Sequence, residues 1–467
     1  MAKVLFINPN YYFLVYQNAR IKAGMTSGIV PIGLLCLAAA ARQAGNIVDL
    51  LDLNVSDEPD KCLNAKISEF APDVVGITAV TPTILAASKI AKIIKNVSPH
   101  TKIIVGGPHS TAMPQETLRL GGFDAVCVGE GEHVIARFIE NPYTSIPGLW
   151  RIENDVIIPS CEMNPGISDL DLLPMPAYDY LDPSKYNFSD INSRNNPTGT
   201  MESSRGCYAN CVYCNKLIHG KKMRFKSVQR VVDEMEFLIS RGFREIGFYD
   251  DCFSADISRA ISICEEILRR GINITWTPVG GLRVDRVTRD LLKIMKKSGC
   301  YRTPFGVESG SQKVLNRIQK RITLDQAENA VAIAKESGME TFVYFMLGLP
   351  GETEEDIIQT IKFAKKINPH YAKFPFTIPF PGTAFFNELH EEKRIKTYDW
   401  EKYIFSTPIH EIYDHENLSW PVLQKYEKMA YREFYFRASY IAMMTRHTLR
   451  EGTFGAHLKA FLKTSWS

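Results

Sequence analysis

The chain has 467 residues, a formal net charge of +3, 23% charged residues and 45% hydrophobic ones. At roughly 150 residues per domain this length suggests about three domains and more than one sizeable core, and the near-zero net charge offers no argument for a nucleic-acid partner. No apolar run reaches the roughly 20 residues of a membrane-spanning helix, and the amino terminus enters an apolar strand pattern directly, without the layout of a signal peptide, so a cytoplasmic protein is expected.

Residues 1–140 alternate apolar strand patterns with helical stretches. Val4-Leu5-Phe6-Ile7 reads as a buried strand. Residues 32–44, rich in alanine and leucine, read as a helix ended by Gly45. Strands follow at 48–53, 73–78, 102–107 and 125–129, with a helix across 88–95. Repeated strand–helix units predict a parallel, doubly wound sheet, and such sheets bind ligands beyond the carboxyl ends of their strands. Three of those ends are candidates: the turn after Thr78, the run Gly106-Gly107-Pro108-His109, and Gly129-Glu130-Gly131-Glu132. Glycine lets backbone approach a bulky ligand. The first turn has no GxGxxG dinucleotide fingerprint.

Residues 141–198 are rich in proline, asparagine, aspartate and serine and read as a linker, mostly irregular, with short strands near 149–151 and 156–158. From 199 to 385 the strand–helix alternation resumes, with strands at 200–204, 245–249, 274–279, 303–307, 341–347 and 372–378. Six units suggest an incomplete (β/α)6 barrel, in which chemistry sits at the carboxyl ends of the strands.

The first of those ends carries Cys207, Cys211 and Cys214 in a CxxxCxxC triplet. A 4Fe–4S cluster normally takes four cysteines. Three in one loop leave an iron with an open position, as catalytic metal sites do. Zinc is the alternative, but it usually pairs two CxxC knuckles or adds histidines at set spacing. Only one triplet stands here, with His219 the nearest downstream histidine. The seven other cysteines are scattered, mostly in apolar runs, and read as buried free thiols of a reducing compartment. Polar groups recur at later strand ends: Asp250 and Asp251, then Glu308-Ser309-Gly310, then Gly348-Leu349-Pro350-Gly351-Glu352. The two aspartates also suit a helix amino terminus before Ala255.

Residues 386–467 read as a helical carboxyl-terminal segment, with one helix across 426–444. Its last stretch sets Phe454, Leu458, Phe461 and Leu462 among Lys459 and Lys463. That pattern suits a membrane surface or an amphiphilic substrate, and also a terminal helix docked on the body, the simpler reading.

The triplet and the ordered strand ends after it resemble the radical S-adenosylmethionine (radical SAM) superfamily. The glycine-rich ends before it resemble the cobalamin-binding domain that precedes the barrel in one subgroup. The runs at 374–383 and 431–437 are similar to members that include anaerobic magnesium-protoporphyrin ester cyclase. The resemblance implies that Cys207, Cys211 and Cys214 hold a 4Fe–4S cluster whose open iron chelates S-adenosylmethionine. It implies that Tyr213, Asp250, Asp251, Glu308, Ser309 and Gly348 border S-adenosylmethionine, and that Thr78, Gly106, Gly107, Pro108, His109, Gly129 and Glu130 border cobalamin. The implied activity is generation of a 5′-deoxyadenosyl radical to functionalise an unactivated C–H bond. Methyl transfer to carbon is the leading outcome, and cyclisation, oxidation or ring contraction of a tetrapyrrole, lipid or other natural product the alternative. A non-catalytic cobalamin or iron–sulfur sensor is a third reading. A small-molecule or lipid-like substrate and an external electron donor such as flavodoxin or ferredoxin are implied as partners. The Asp-x-His-x-x-Gly motif that ligates cobalt in many cobalamin domains does not occur. Cobalamin is therefore expected with its dimethylbenzimidazole tail displaced and no histidine on cobalt, with His109 the alternative ligand.

Overall fold

The computed structural model describes residues 1–10, 28–188 and 193–463. A seven-stranded sheet in the order β2-β1-β3-β4-β5-β6-β7 forms the amino-terminal half. Its strands are β1 (Lys3–Asn8), β2 (Ile47–Asp52), β3 (Val74–Thr78), β4 (Lys102–Gly106), β5 (Ala125–Cys127), β6 (Leu149–Glu153) and β7 (Val156–Ile158). The first five pair in parallel. Val4, Leu5, Phe6 and Ile7 are fully buried because helices cover both faces of the sheet, which is why this strand is apolar at every position. β6 and β7 add an antiparallel hairpin. The stretch read as a linker thus completes the sheet's edge. Asn154 and Asp155 turn this hairpin at φ values of 49° and 62°, the left-handed pair that a two-residue hairpin turn requires.

The second half holds β8 (Thr198–Met201), β11 (Glu245–Phe248) and β12 (Thr275–Pro278) in one parallel sheet, and β13 (Arg302–Glu308), β14 (Glu340–Phe345) and β15 (Tyr371–Lys373) in another. Parallel bridges Trp276–Cys300 and Leu282–Phe305 join the two sheets. The six strands therefore run side by side in chain order as an open barrel. A short antiparallel pair, β9 (Ser204–Arg205) with β10 (Arg224–Phe225), closes the base of the loop that carries the cysteine triplet. The outer helices start where a hydroxyl or carboxylate caps the first turn: Ser227 before Val228–Ser240, Asp256 before Ile257–Arg269, Thr323 before Leu324–Glu336 and Thr353 before Glu354–Ile367.

The carboxyl-terminal segment packs against the barrel as helices Trp420–Tyr435, Ala438–Arg450 and Phe454–Lys463. The helix expected across 426–444 is thus broken in two. Arg437 sits at the break because its guanidinium donates to the Lys365 carbonyl, to Asn368 Oδ1 and to the Phe434 carbonyl. These bonds tie the turn to the end of helix Glu354–Ile367. The side chains of Phe461 and Lys463 lie outside the described residues. Among the described residues no helix is long and apolar enough to cross a membrane. Of the seven cysteines outside the triplet, Cys36, Cys127, Cys252, Cys264 and Cys300 are buried free thiols, whereas Cys62 and Cys161 are exposed.

Candidate functional site

The cysteine loop is held at its root by backbone and by one carboxylate. Gly206 stands at φ 93°, and a β-carbon there would collide with the Lys222 carbonyl, so only glycine fits. Its N–H donates to Asp251 Oδ2 at 3.0 Å. Cys207 N–H donates to the Gly220 carbonyl, and Val212 N–H to the Ile318 carbonyl. These bonds leave Cys207 and Cys211 half-exposed and Cys214 exposed. Among the described residues no three His, Cys, Asp or Glu side chains converge on a single-ion point.

Asp250, expected to border S-adenosylmethionine, turns into the protein. Its carboxylate is buried and accepts from Ser203 N–H (2.7 Å), Ser203 Oγ (2.6 Å) and Ser204 Oγ (2.5 Å). Burial raises its pKa against those bonds. Asp250 thus locks the end of β11 to the start of the cysteine loop, and Asp251 fixes the loop's first glycine. Neither caps the next helix, because Asp256 does so. Ser309 is fully buried, with its hydroxyl on Thr360 Oγ1 at 3.1 Å and accepting from Ser311 N–H. It turns outward to the helix, not toward a ligand. Gly310 is likewise approached by protein, since a β-carbon would stand 2.6 Å from Thr360 Cα and Phe363 Cβ.

Glu308 faces the other way. A bulge in the β13–β14 register lies between Gly306 and Glu308, and Glu308 adopts φ 73°, a conformation uncommon for a residue with a side chain. Its Oε1 accepts from Lys320 Nζ at 2.7 Å, and Lys320 Nζ reaches the Tyr213 hydroxyl at 3.2 Å. This chain of contacts brings the end of β13 to the residue beside Cys214. Burial lowers and Glu308 raises the Lys320 pKa, with a net rise. Gly348 at φ 74° is pinned by its N–H on Glu352 Oε2 (2.7 Å) and its carbonyl under the Tyr413 hydroxyl (3.2 Å).

The glycine-rich ends of the first sheet open on a cavity of ≈ 290 Å³, about the lower size of small-ligand sites. Thr78, Gly106, Gly107, Pro108, Gly129 and Glu130 line it from the sheet, and Glu202, Arg205, Ile218, His219 and Tyr249 from the barrel. His109 is not in the lining. Its ring is fully buried, edge-on to Trp400 at 5.0 Å, with Nε2 3.3 Å from Glu116 Oε2. The helix that starts at Pro108 rotates it beneath the carboxyl-terminal segment. Glu130 lines the cavity, but Arg224 (2.6 and 2.9 Å), His219 Nδ1 (2.9 Å) and Ile167 N–H (2.6 Å) already hold its oxygens. Burial pushes its carboxyl up, but His219, Arg224 and Arg205 overcome this and hold it well below the usual carboxylate range. Sequence reasoning missed Arg205, His219, Lys320, Arg283 and Arg286. Arg205 adjoins the triplet in sequence, whereas the others belong to no motif and only the tertiary fold brings them to the site. Arg283 and Arg286 flank the Tyr208 ring at 5.6 and 5.4 Å, and Arg286 donates to its hydroxyl.

Two domain matches agree with this layout. Residues 23–139 match the B12 binding domain and residues 201–364 the radical SAM superfamily. An uncharacterized methyltransferase of Pyrococcus horikoshii is 35% identical over 419 residues, covering 87% of this chain and 88% of its own. An anaerobic magnesium-protoporphyrin IX monomethyl ester cyclase of Rubrivivax gelatinosus is 29% identical over 484 residues, 99% of this chain and 83% of its own. The solved structure of the radical S-adenosylmethionine methyltransferase TsrM from Kitasatospora setae, with cobalamin and a 4Fe–4S cluster bound, matches with a TM-score of 0.69 at 21% identity, covering 84% of this chain and 75% of that one. The chain belongs to the family of radical SAM enzymes that carry an amino-terminal cobalamin-binding domain. It is an enzyme, and the cofactors of its family are a 4Fe–4S cluster, S-adenosylmethionine and cobalamin.

The residues present fit those groups. Gly33 lines the cavity and a β-carbon there would meet nothing within 4 Å, so the backbone leaves open space for a ligand. Arg205 is buried on the cavity wall with Nη1 lacking a hydrogen-bond partner, 3.5 Å from Glu130 Oε2. A bound amide or phosphate oxygen would satisfy it. On the barrel side, three free thiols in one loop are the donor set of an iron–sulfur cluster with one open iron.

Proposed function

We propose that this enzyme transfers a methyl group to an unactivated carbon of a small-molecule or lipid-like substrate. The observation that carries the reading is the shared cavity. The strand ends of the first sheet and the residues flanking the cysteine loop form one wall system, so a ligand on the sheet lies against the barrel. Cys207, Cys211 and Cys214 would hold the cluster, and Thr78, Gly106, Gly107, Pro108, Gly129 and Glu130 would border cobalamin. Tyr213, Glu308 and Gly348 would border S-adenosylmethionine. When bound, the cluster supplies the electron that cleaves S-adenosylmethionine and cobalamin carries the methyl group. The chain's own part is to position these groups. Asp250 and Asp251 set the cysteine loop, Lys320 bonds both Glu308 and Tyr213, and the glycine turns leave room for the corrin. An external donor of the flavodoxin or ferredoxin class in a reducing cytoplasm completes the reading.

Anaerobically reconstituted protein is expected to bind about four irons and to convert S-adenosylmethionine to 5′-deoxyadenosine. Replacing all three cysteines by alanine should abolish both, and cleavage retained in that variant would refute the assignment. The likeness to the ester cyclase across nearly the whole chain favours a second reading, radical cyclisation or oxidation with the same cofactors. Product mass separates them: a gain of one methylene supports methylation, and a loss of hydrogens supports the second.

A further inference from the structure

Two polar groups on the inner wall of the barrel have no hydrogen-bond or ion-pair partner among the described residues. Tyr344 of β14 and Lys373 of β15 stand opposite each other in register and point to the same side. That side is the inner one. Tyr344 is in register with Gly306, and a β-carbon at Gly306 would stand 2.5 Å from Glu308 Oε1 and 3.1 Å from Lys320 Nζ, the pair that reaches Tyr213. The alternate residues Val343, Phe345, Ala372 and Phe374 are buried on the outer side, where Phe374 meets Tyr431 and Phe434 of the carboxyl-terminal helix.

An inner wall normally satisfies its charges internally. Lys320 is paired with Glu308, Arg283 with Asp285, Arg302 with Glu340 and Arg205 with Glu132. Lys373 has no carboxylate and no hydrogen-bond partner among the described residues. Its ammonium lies 5.9 Å from the Phe342 ring centroid, a weak cation–π contact. Tyr344 is 37% exposed and its hydroxyl has no partner among the described residues. Lys373 and Tyr344 are both exposed on this wall, so the ammonium and the phenol stand open to a ligand, although the protein around Lys373 lowers its pKa. Beneath the pair, Phe342 stacks on Tyr371 at 5.7 Å and contacts Tyr344 at 4.8 Å. The result is an apolar aromatic floor with an ammonium and a phenol at its edge.

We infer that Lys373 and Tyr344 form the subsite for an anionic oxygen group, a carboxylate or a phosphate, on the substrate that enters the barrel, with the aromatic floor taking the apolar part beside it. An ammonium and a hydroxyl in register offer neighbouring donors to one anion, and a charge-assisted hydrogen bond is stronger than a neutral one. The inference rests on the barrel being the reaction chamber, as proposed above. It makes Lys373 a specificity residue and leaves the reaction type open.

The test uses the full-length protein and two probes, inorganic pyrophosphate and phenylphosphonate, titrated calorimetrically into wild type, Lys373→Gln, Lys373→Arg and Tyr344→Phe. Wild type is expected to bind phenylphosphonate at one site per chain. Lys373→Gln should weaken that binding about tenfold or more, the equivalent of one charged hydrogen bond. Lys373→Arg should retain it within about threefold, and Tyr344→Phe should fall between. Unchanged melting temperatures exclude misfolding as the cause. Absence of one-site binding in wild type, or binding unaffected in Lys373→Gln, overturns the proposal. S-adenosylmethionine affinity is measured in the same variants. If it falls about tenfold in Lys373→Gln, the anion held is the carboxylate of S-adenosylmethionine, and the substrate assignment is overturned. Probe binding needs no cluster or cobalamin, so failure of cofactor-dependent turnover does not mimic failure of this subsite.

Discussion

Glu352 shows how a single buried carboxyl carries a turn. Its Oε2 accepts from Gly348 and Leu349 N–H, while Oε1 is buried without a partner. Burial pushes its carboxyl up to about 8. The folded protein therefore holds a proton that the unfolded chain releases near pH 4.3. Stability from this residue falls as pH rises from about 4.3 to 8 and levels off above. Glu352→Gln removes the titration and should exceed wild type by about 1–3 kcal/mol at pH 8 while matching it near pH 5. Urea unfolding at the two pH values checks this, and parallel curves would contradict it. His109 makes a second case. Its ring is packed on Trp400 and bonded to Glu116, so His109→Ala should cost about 2–3 kcal/mol of stability. The same variant should leave the electron paramagnetic resonance spectrum of the Co(II) form of the loaded protein unchanged. Loss of a nitrogen superhyperfine splitting in it would instead place His109 on the metal.

At the scale of elements, strand ends separate into those that meet ligands and those that meet helices, and a glycine does not tell which. Gly310 sits in a polar run that reads as a ligand turn, yet helix Glu354–Ile367 fills the space its side chain would take. Gly310→Ala should cost about 1–3 kcal/mol, because backbone of the helix must move. Its S-adenosylmethionine affinity should stay within about threefold of wild type. Calorimetric melting and equilibrium dialysis read the two effects, and a large affinity loss with no melting change would return Gly310 to the ligand. Conversely, Glu308 departs from regular strand geometry, and the bulge turns its carboxylate toward Lys320 and Tyr213. No periodicity in the sequence marks such a bulge.

At the scale of the molecule, the two halves are joined by buried charge. Glu130, just past the carboxyl end of β5, meets His219 and Arg224 of the cysteine loop and its base, and Glu132 meets Arg205. Breaking one member of such a cluster strands the others, at about 3–5 kcal/mol. Glu130→Gln should lower the melting temperature of the cofactor-free protein and reduce cobalamin retention together. An unchanged melting temperature with cobalamin lost would make Glu130 a ligand contact alone. Because the Glu130 carboxyl is held below its usual range, this contribution is complete above about pH 4.3 and is lost as pH falls further. Trp400 adds a second tie, with Nε1 donating to Glu116 Oε1 at 2.7 Å, so the carboxyl-terminal segment also closes on the first sheet.

The sequence by itself determined the parallel sheet, the six-stranded barrel and the cysteine loop. Each is written in local terms: apolar strands buried on both faces, capped helices that follow them, and three thiols within eight residues of one another. It also marked the glycine turns that open the cavity. Tertiary structure decided which polar residues face that cavity. Asp250, Ser309 and His109 carry the right chemistry at the right place in the chain, but serines hold Asp250 and a threonine holds Ser309 inside the protein, and the His109 ring is buried with Nε2 on Glu116. Lys320 follows no motif, and it reaches Glu308 and Tyr213 because the fold turns it inward. A side chain's direction depends on what is buried against its neighbours, and those neighbours lie far away in the chain.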